Sequence, residues 1–158
     1  MTTIAYRDGV LAADTGATCG SSRNGAVSKI VRRADGAMAG AGGSASYTHA
    51  FLKWFVSGDG QAPDAKEDNN SMDSAVVFMT DGTIEVYEPR GSFTITAPYY
   101  AMGSGRPEAL GAMFAGADAK RAVEAAMAHD AHTFGSITLL THAEETKALR
   151  VVRNTKVD

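Results

Sequence analysis

The residues with the most chemistry per atom stand at the start of the chain, Met1-Thr2-Thr3-Ile4-Ala5-Tyr6-Arg7. A Thr directly after an initiator Met becomes the N-terminal residue once that Met is removed, and removal favours a small second residue. Such a Thr holds a hydroxyl and a free amine together. The hydroxyl alone is a poor nucleophile, but an amine with an ordinary pKa of about 7.7–8 can take its proton at neutral pH. Nucleophile and base then arrive already paired, a variant of the arrangement in which a serine borrows a histidine. Many chains begin Met-Thr without catalytic meaning, so the pattern counts only in combination with residues further along the chain.

Other reactive groups are sparser. His129 and His132 stand three apart at a helix end without an evident third ligand, so they are read as partly exposed histidines and no metal site is assigned. The stretch Gly40-Ala41-Gly42-Gly43 is glycine-rich, yet neither a full GxGxxG nor a GK[ST] accompanies it, and a nucleotide site is a poor reading. No cofactor is called for.

At 158 residues the chain is read as one domain over 1–158, long enough to bury a two-layer core. A net charge of −3 gives no nucleic-acid footprint. The single Cys19 excludes an internal disulfide framework and fits a reducing compartment. Residues 1–14 carry Arg7, Asp8 and Asp14 and lack the apolar core of a signal peptide. No run approaches the ~20 apolar residues of a membrane span. These observations describe a cytoplasmic, soluble protein without a nucleic-acid or membrane partner.

The elements that must position any site are set by turns and periodicity. Asp8-Gly9, Asp35-Gly36 and Asp81-Gly82 each sit between short apolar runs and suit type I′ hairpins. They pair residues 2–7 with 10–14, 29–33 with 37–41, and 75–80 with 83–87. Tyr47, Phe51, Trp54 and Phe55 form one apolar stripe of a helix over 47–56, with Ser44 or Ser46 as its cap and Gly58 just past its end. Residues 58–73 are a polar, acidic surface loop. Residues 92–102 form a strand region interrupted by Pro98. Two helices come next, one with Pro107 in its first turn and Leu110, Met113 and Phe114 on its apolar face. The other starts near Asp118 and buries Ala119, Ala122, Val123, Ala126 and Met127. Residues 136–141 and 149–153 close the chain as strands. The order is that of an α+β fold with antiparallel sheets and helices outside.

With these elements in order, the chain resembles a known family. Met1-Thr2-Thr3-Ile4 followed by Val10-Leu11-Ala12-Ala13-Asp14-Thr15-Gly16-Ala17-Thr18 resembles the opening of proteasome β-type subunits. Lys29-Ile30-Val31-Arg32-Arg33 is similar to the next segment in HslV, the peptidase of a bacterial two-component protease. Ala39-Gly40-Ala41-Gly42-Gly43-Ser44-Ala45 looks like that family's strand-to-helix turn, and Ala101-Met102-Gly103-Ser104-Gly105 like its turn before a helix. Asp130-Ala131-His132-Thr133-Phe134-Gly135-Ser136 resembles its late loop. The matches run in family order over most of the chain.

The resemblance implies an N-terminal nucleophile hydrolase fold, a four-layer αββα sandwich, with threonine peptidase chemistry. Thr2 would attack the scissile carbonyl and its own amine would take the proton. Lys29 would be the cation that favours the alkoxide-like state of the hydroxyl, and Asp14 would pair with Lys29 and orient it. Taken as a bare residue, Lys29 reads first as an exposed strand lysine, a reading the resemblance reverses, and Asp14 reads equally as a plain strand-end aspartate. Gly43 would offer its backbone N–H to the oxyanion, helped by the helix starting near Ser44. Ser104, Asp130 and Thr133 match the family's hydrogen-bonding shell around the amine. On its own, Ser104 could cap the Pro107 helix, and Asp130 with Thr133 could close the preceding one. Ala41 and its neighbours would line the pocket for the side chain before the cut, leaving room for an apolar one. Backbone carbonyls in the late loop bind a cation in some relatives.

One departure stands out. Relatives carry a second long helix before the buried strand at 75–79, where this chain has only the loop 58–73, so one helical layer should be reduced. That helix contributes to ring contacts, and the same face meets an ATPase partner. The resemblance therefore implies a peptide or unfolded-protein substrate and a homo-oligomer, with a ring possible, but leaves the ATPase partner open. The leading reading is a threonine-type peptidase. Its rivals are a non-catalytic structural or assembly subunit and a small-amide hydrolase of the same fold.

Overall fold

A computed structural model of the chain describes residues 1–143, so the strand expected over 149–153 lies outside the described residues. The first hairpin joins β1 (Thr3–Arg7) to β2 (Val10–Asp14) through Asp8 and Gly9, with φ of 51° and 76°. Both central residues take the left-handed conformation, as a type I′ turn requires. An exposed ribbon comes next, β3 (Gly16–Cys19) paired with β4 (Ser22–Ala26). Apolar patterning gave no sign of it, because every residue of β4 faces solvent.

The next Asp-Gly pair behaves differently. Between β5 (Ile30–Arg32) and β6 (Met38–Gly42) only Gly36 has a positive φ, and the Asp35 carboxylate accepts the Ala37 N–H two residues on, at 3.1 Å. After α1 (Ala45–Ser57), β7 (Ser74–Phe78) and β8 (Ile84–Glu88) repeat this at Asp81-Gly82, with Thr83 N–H to Asp81 at 2.8 Å. Both are three-residue loops rather than type I′ turns. The Asp side chain closes its own turn, so only the glycine need be left-handed.

The single strand region expected over 92–102 is two strands, β9 (Gly91–Ile95) and β10 (Tyr99–Gly103), in different sheets. Pro98, which has no N–H to give a ladder, lies in the crossover between them. Then come α2 (Arg106–Phe114), α3 (Ala119–His129) and β11 (Ile137–Thr141). One sheet runs β10-β1-β2-β11 and the other β5-β6-β7-β8-β9, with every pairing antiparallel. The fold is α+β.

Among the described residues, three apolar clusters hold it together. Ile4, Leu11 and Met102 from the four-stranded sheet meet Met38, Val76 and Phe78 from the five-stranded sheet. Helix α1 buries Tyr47, Phe51 and Phe55 against Ala39, Ala41 and Val77 of the five-stranded sheet. Helices α2 and α3 bury Ala109, Met113, Ala122 and Val123 against Ala5, Ala12 and Ala101 of the other. Alanine on both sides lets those helices sit close to the strands, at the cost of little buried area per residue.

The helix ends are set locally. Ser44 Oγ accepts the Tyr47 N–H at 3.3 Å, Gly58 ends α1 with φ 70°, and Asp118 caps α3 by accepting the Arg121 N–H at 2.8 Å. Two expectations for α2 fail. Its cap residue is Gly105 rather than Ser104, and Phe114 is 85% exposed instead of lying on the buried face. Ala109 and Met113, one turn apart, are the residues that face the sheet. No helix among the described residues is long and apolar enough to cross a membrane.

Candidate active site

The two hairpin-paired strands bring the ends of β1 and β2 together, so Thr2 and Thr3 lie beside Asp14. The Thr3 N–H donates to Asp14 Oδ1 at 2.9 Å. On the other flank of β1, the Ser104 N–H donates to the Thr2 carbonyl at 2.8 Å. That approach needs Gly103, whose φ is 98° and where a Cβ would sit 1.6 Å from the Thr2 carbonyl oxygen.

Lys29, just before β5, reaches into this junction. Its Nζ donates to both Asp14 oxygens at 3.0 Å and to the Met1 carbonyl at 3.1 Å. The Lys29 and Asp14 side chains are 3% and 0% exposed. Burial pushes the Lys29 ammonium below its ordinary pKa, while Asp14 pulls it back up. Phe134 N–H adds a further bond to Asp14 Oδ2 at 3.2 Å. The carboxylate thus receives an ammonium and two backbone N–H groups, the saturation a buried charge needs.

A second set of hydroxyls lies behind Thr3. Thr133 Oγ1 and Ser104 Oγ both donate to Asp130 Oδ2 at 2.6 Å. Thr133 has one proton, already given, so the 2.6 Å contact between Thr3 Oγ1 and Thr133 Oγ1 must be donated by Thr3. Gly105 N–H in turn donates to Thr3 Oγ1 at 3.1 Å. The direction of every proton from Gly105 to Asp130 is therefore fixed. Burial pushes the Asp130 carboxyl up, but the bonds from Ser104, Thr133 and His132 N–H outweigh it and hold the group below its ordinary pKa.

This assignment separates the two threonines. Thr3 is fully buried and its hydroxyl is committed in both directions. Thr2 lines a cleft of about 520 Å³ with Met1, Lys29 and Gly43. The end of β6 abuts it, since a Cβ on Gly42 would lie 3.3 Å from Thr2 Cβ and 3.4 Å from its Oγ1.

Of the residues singled out in the sequence, Thr2, Asp14, Lys29 and Gly43 meet at this cleft or directly behind it. Ser104, Asp130 and Thr133 form one connected cluster joined to it through Thr3. Asp130 also ends α3, its N–H donating to the Ala126 carbonyl at 2.7 Å. Ala41 is placed elsewhere, fully buried in the core under α1, and does not line the cleft. Among the described residues no group of three or more His, Cys, Asp or Glu side chains is arranged to hold a metal ion.

Two positioning residues escaped the sequence reading. Thr3 is one. The other is Asp73, buried before β7, whose Oδ1 accepts the Ser44 N–H at 2.8 Å and whose Oδ2 accepts the Lys66 N–H at 3.1 Å. It presses against Gly43, where a Cβ would fall 2.4 Å from Oδ1. Asp73 looked like one more charge in an acidic loop, and nothing local marks it as buried.

No protein-family model matches the chain, and no characterised protein matches it by sequence. Solved structures do. The Thiobacillus denitrificans protein BPH, in one structure and in another in complex with epoxomicin, aligns with a TM-score of 0.62 and 21% identity in both cases. The alignment covers 90% of this chain and 98–99% of that one. At this identity the likeness is one of fold.

Proposed function

We propose that the chain is a threonine-type peptidase or amide hydrolase of the N-terminal nucleophile kind, built on a four-layer αββα arrangement whose α1 side carries one helix among the described residues. The observation that carries this is the placement of Thr2: in the cleft, with a buried, fully bonded Lys29–Asp14 pair whose ammonium reaches the Met1–Thr2 peptide. The bond to the Met1 carbonyl is the one contact of Lys29 that removal of Met1 abolishes, and it leaves a donor facing Thr2. The similar structure solved with epoxomicin, a proteasome inhibitor, supports the same reading.

The steps are set by the residues. Burial first, and then the Lys29 charge, push the Met1 amine below its ordinary pKa. The Thr2 amine, once released beside Lys29, is pushed in the same direction, toward the free base that can accept a proton. It accepts the hydroxyl proton as Thr2 Oγ1 bonds to the scissile carbonyl carbon. The Gly43 N–H, at the start of α1, receives the developing oxyanion. Collapse breaks the C–N bond, the proton passes to the leaving amine, and water hydrolyses the resulting ester to regenerate Thr2. Ser104 and Asp130 hold the strand end that carries Thr2.

The second reading, a non-catalytic assembly subunit, draws on α1 being the one helix over the five-stranded sheet among the described residues. It gives no reason to bury Lys29 against Asp14 beside a cleft. Replacing Thr2 by Ala separates the two: peptide hydrolysis should fall at least about 10³-fold with the fold retained. Full activity in that variant would refute the proposal.

A further inference from the structure

The cleft wall formed by α1 has a charge pattern that the chemistry at Thr2 does not use. Helix α1 turns Tyr47, Phe51 and Phe55 inward, while His49, Lys53 and Val56 succeed one another along the cleft side at the spacing of one helix face. Val27, Val31 and Leu52 make the rest of that wall apolar. The chain as a whole is acidic, with 18 Asp and Glu against 15 Lys and Arg. Yet among the described residues no Asp or Glu lines the cleft. Lys29 is neutralised by Asp14, and among the described residues neither Lys53 nor His49 has an ion-pair partner. An acidic molecule has kept carboxylates out of this concavity and left the Lys53 ammonium at its rim without a counter-ion, with the His49 imidazole one turn before it.

We infer that the cleft selects acidic peptides: a side chain with an apolar stem and a carboxylate tip, above all glutamate, lies along the apolar wall with its charge at Lys53 and His49. The stem would cover Val31 and Leu52, and the tip would remain near the rim, where the Lys53 ammonium and the His49 imidazole keep part of their hydration. A lysine or arginine there would meet like charge. That the ligand is a peptide rests on the reading of Thr2 as nucleophile, whereas the charge preference is a property of the wall alone.

The test is therefore made first without catalysis. Full-length Thr2→Ala protein is titrated with two blocked, rhodamine-labelled hexapeptides identical except for Glu or Gln at one central position. The Glu peptide should bind about fivefold more tightly at low salt, the upper end for one partly exposed ion pair. The advantage should shrink at about 0.5 M salt, where the Debye length falls below about 5 Å. It should vanish in the Lys53→Gln/His49→Gln double variant. Equal binding of the two peptides, no binding of either, or a preference that survives in the double variant would each overturn the inference. Acylation of the unmodified protein is measured separately, so a charge preference without acylation would count against the Thr2 mechanism and leave the wall's selectivity standing.

Discussion

Thr2 stands between two unlike regions. On one side, buried Asp14, Lys29, Thr3 and Thr133, with half-buried Asp130 and Ser104, form a network in which each carboxylate is bonded and the hydroxyl directions are forced. On the other, the cleft side is open to water: Val27 and Val56 are 38% and 48% exposed, and Lys53 and His49 have no ion-pair partner among the described residues. The contrast amounts to a division of labour. Orientation of a nucleophile must be built where water cannot compete and every donor has one acceptor. Recognition of a ligand is built where side chains can be changed without unfolding the chain.

Substitutions should affect the two regions to graded extents. The largest effect belongs to Lys29→Met, which leaves Asp14 buried without its counter-ion. Stability should fall by about 3–5 kcal/mol in a denaturant titration, and hydrolysis should be lost with it. A loss near zero would mean that the pair is not a keystone of the interior. Asp73→Ala comes next. It strips the acceptor from two partly buried N–H groups, Ser44 and Lys66, at a cost of about 1–3 kcal/mol. Because Asp73 supports the Gly43 turn, kcat should fall more than KM rises.

Asp130→Asn probes the interior side through pH. Its carboxyl is held below the ordinary value in the folded chain, so it contributes stability above the unfolded pKa of about 3.9. That stability is lost as pH falls through the lower, folded value. The Asn variant should accordingly lose less stability than the parent between about pH 5 and acid, measured by unfolding at a series of pH values. Parallel acid limbs would contradict the assignment of the Ser104 and Thr133 protons. The smallest effect is at the surface: Phe114→Ser, at an 85% exposed site, should change stability by no more than about 0.5 kcal/mol.

Much of this organisation was legible in the residues, and the illegible parts share a cause. The β1–β2 hairpin, α1 with its Ser44 and Gly58 ends, and α3 with Asp118 were readable because turn chemistry and apolar periodicity are local. The set Thr2, Asp14, Lys29, Ser104, Asp130 and Thr133 was reached through resemblance, and the structure gathers it around the start of β1. What could not be read depends on distant partners. The β3–β4 ribbon has no buried strand to mark it, Pro98 marks a sheet change rather than an interruption, and Ala41 turns toward α1 rather than the cleft. Thr3 and Asp73 owe their importance to Thr133 and Ser44, 130 and 29 residues away.

Whether Thr2 becomes an activated N-terminal nucleophile can be read from an intact mass spectrum of the purified protein, taken before and after an electrophilic threonine-peptidase inhibitor. An activated Thr2 gives loss of the Met1 mass and a single covalent adduct mapping to Thr2, absent in Thr2→Ala. A spectrum that retains Met1 and shows no adduct would contradict it.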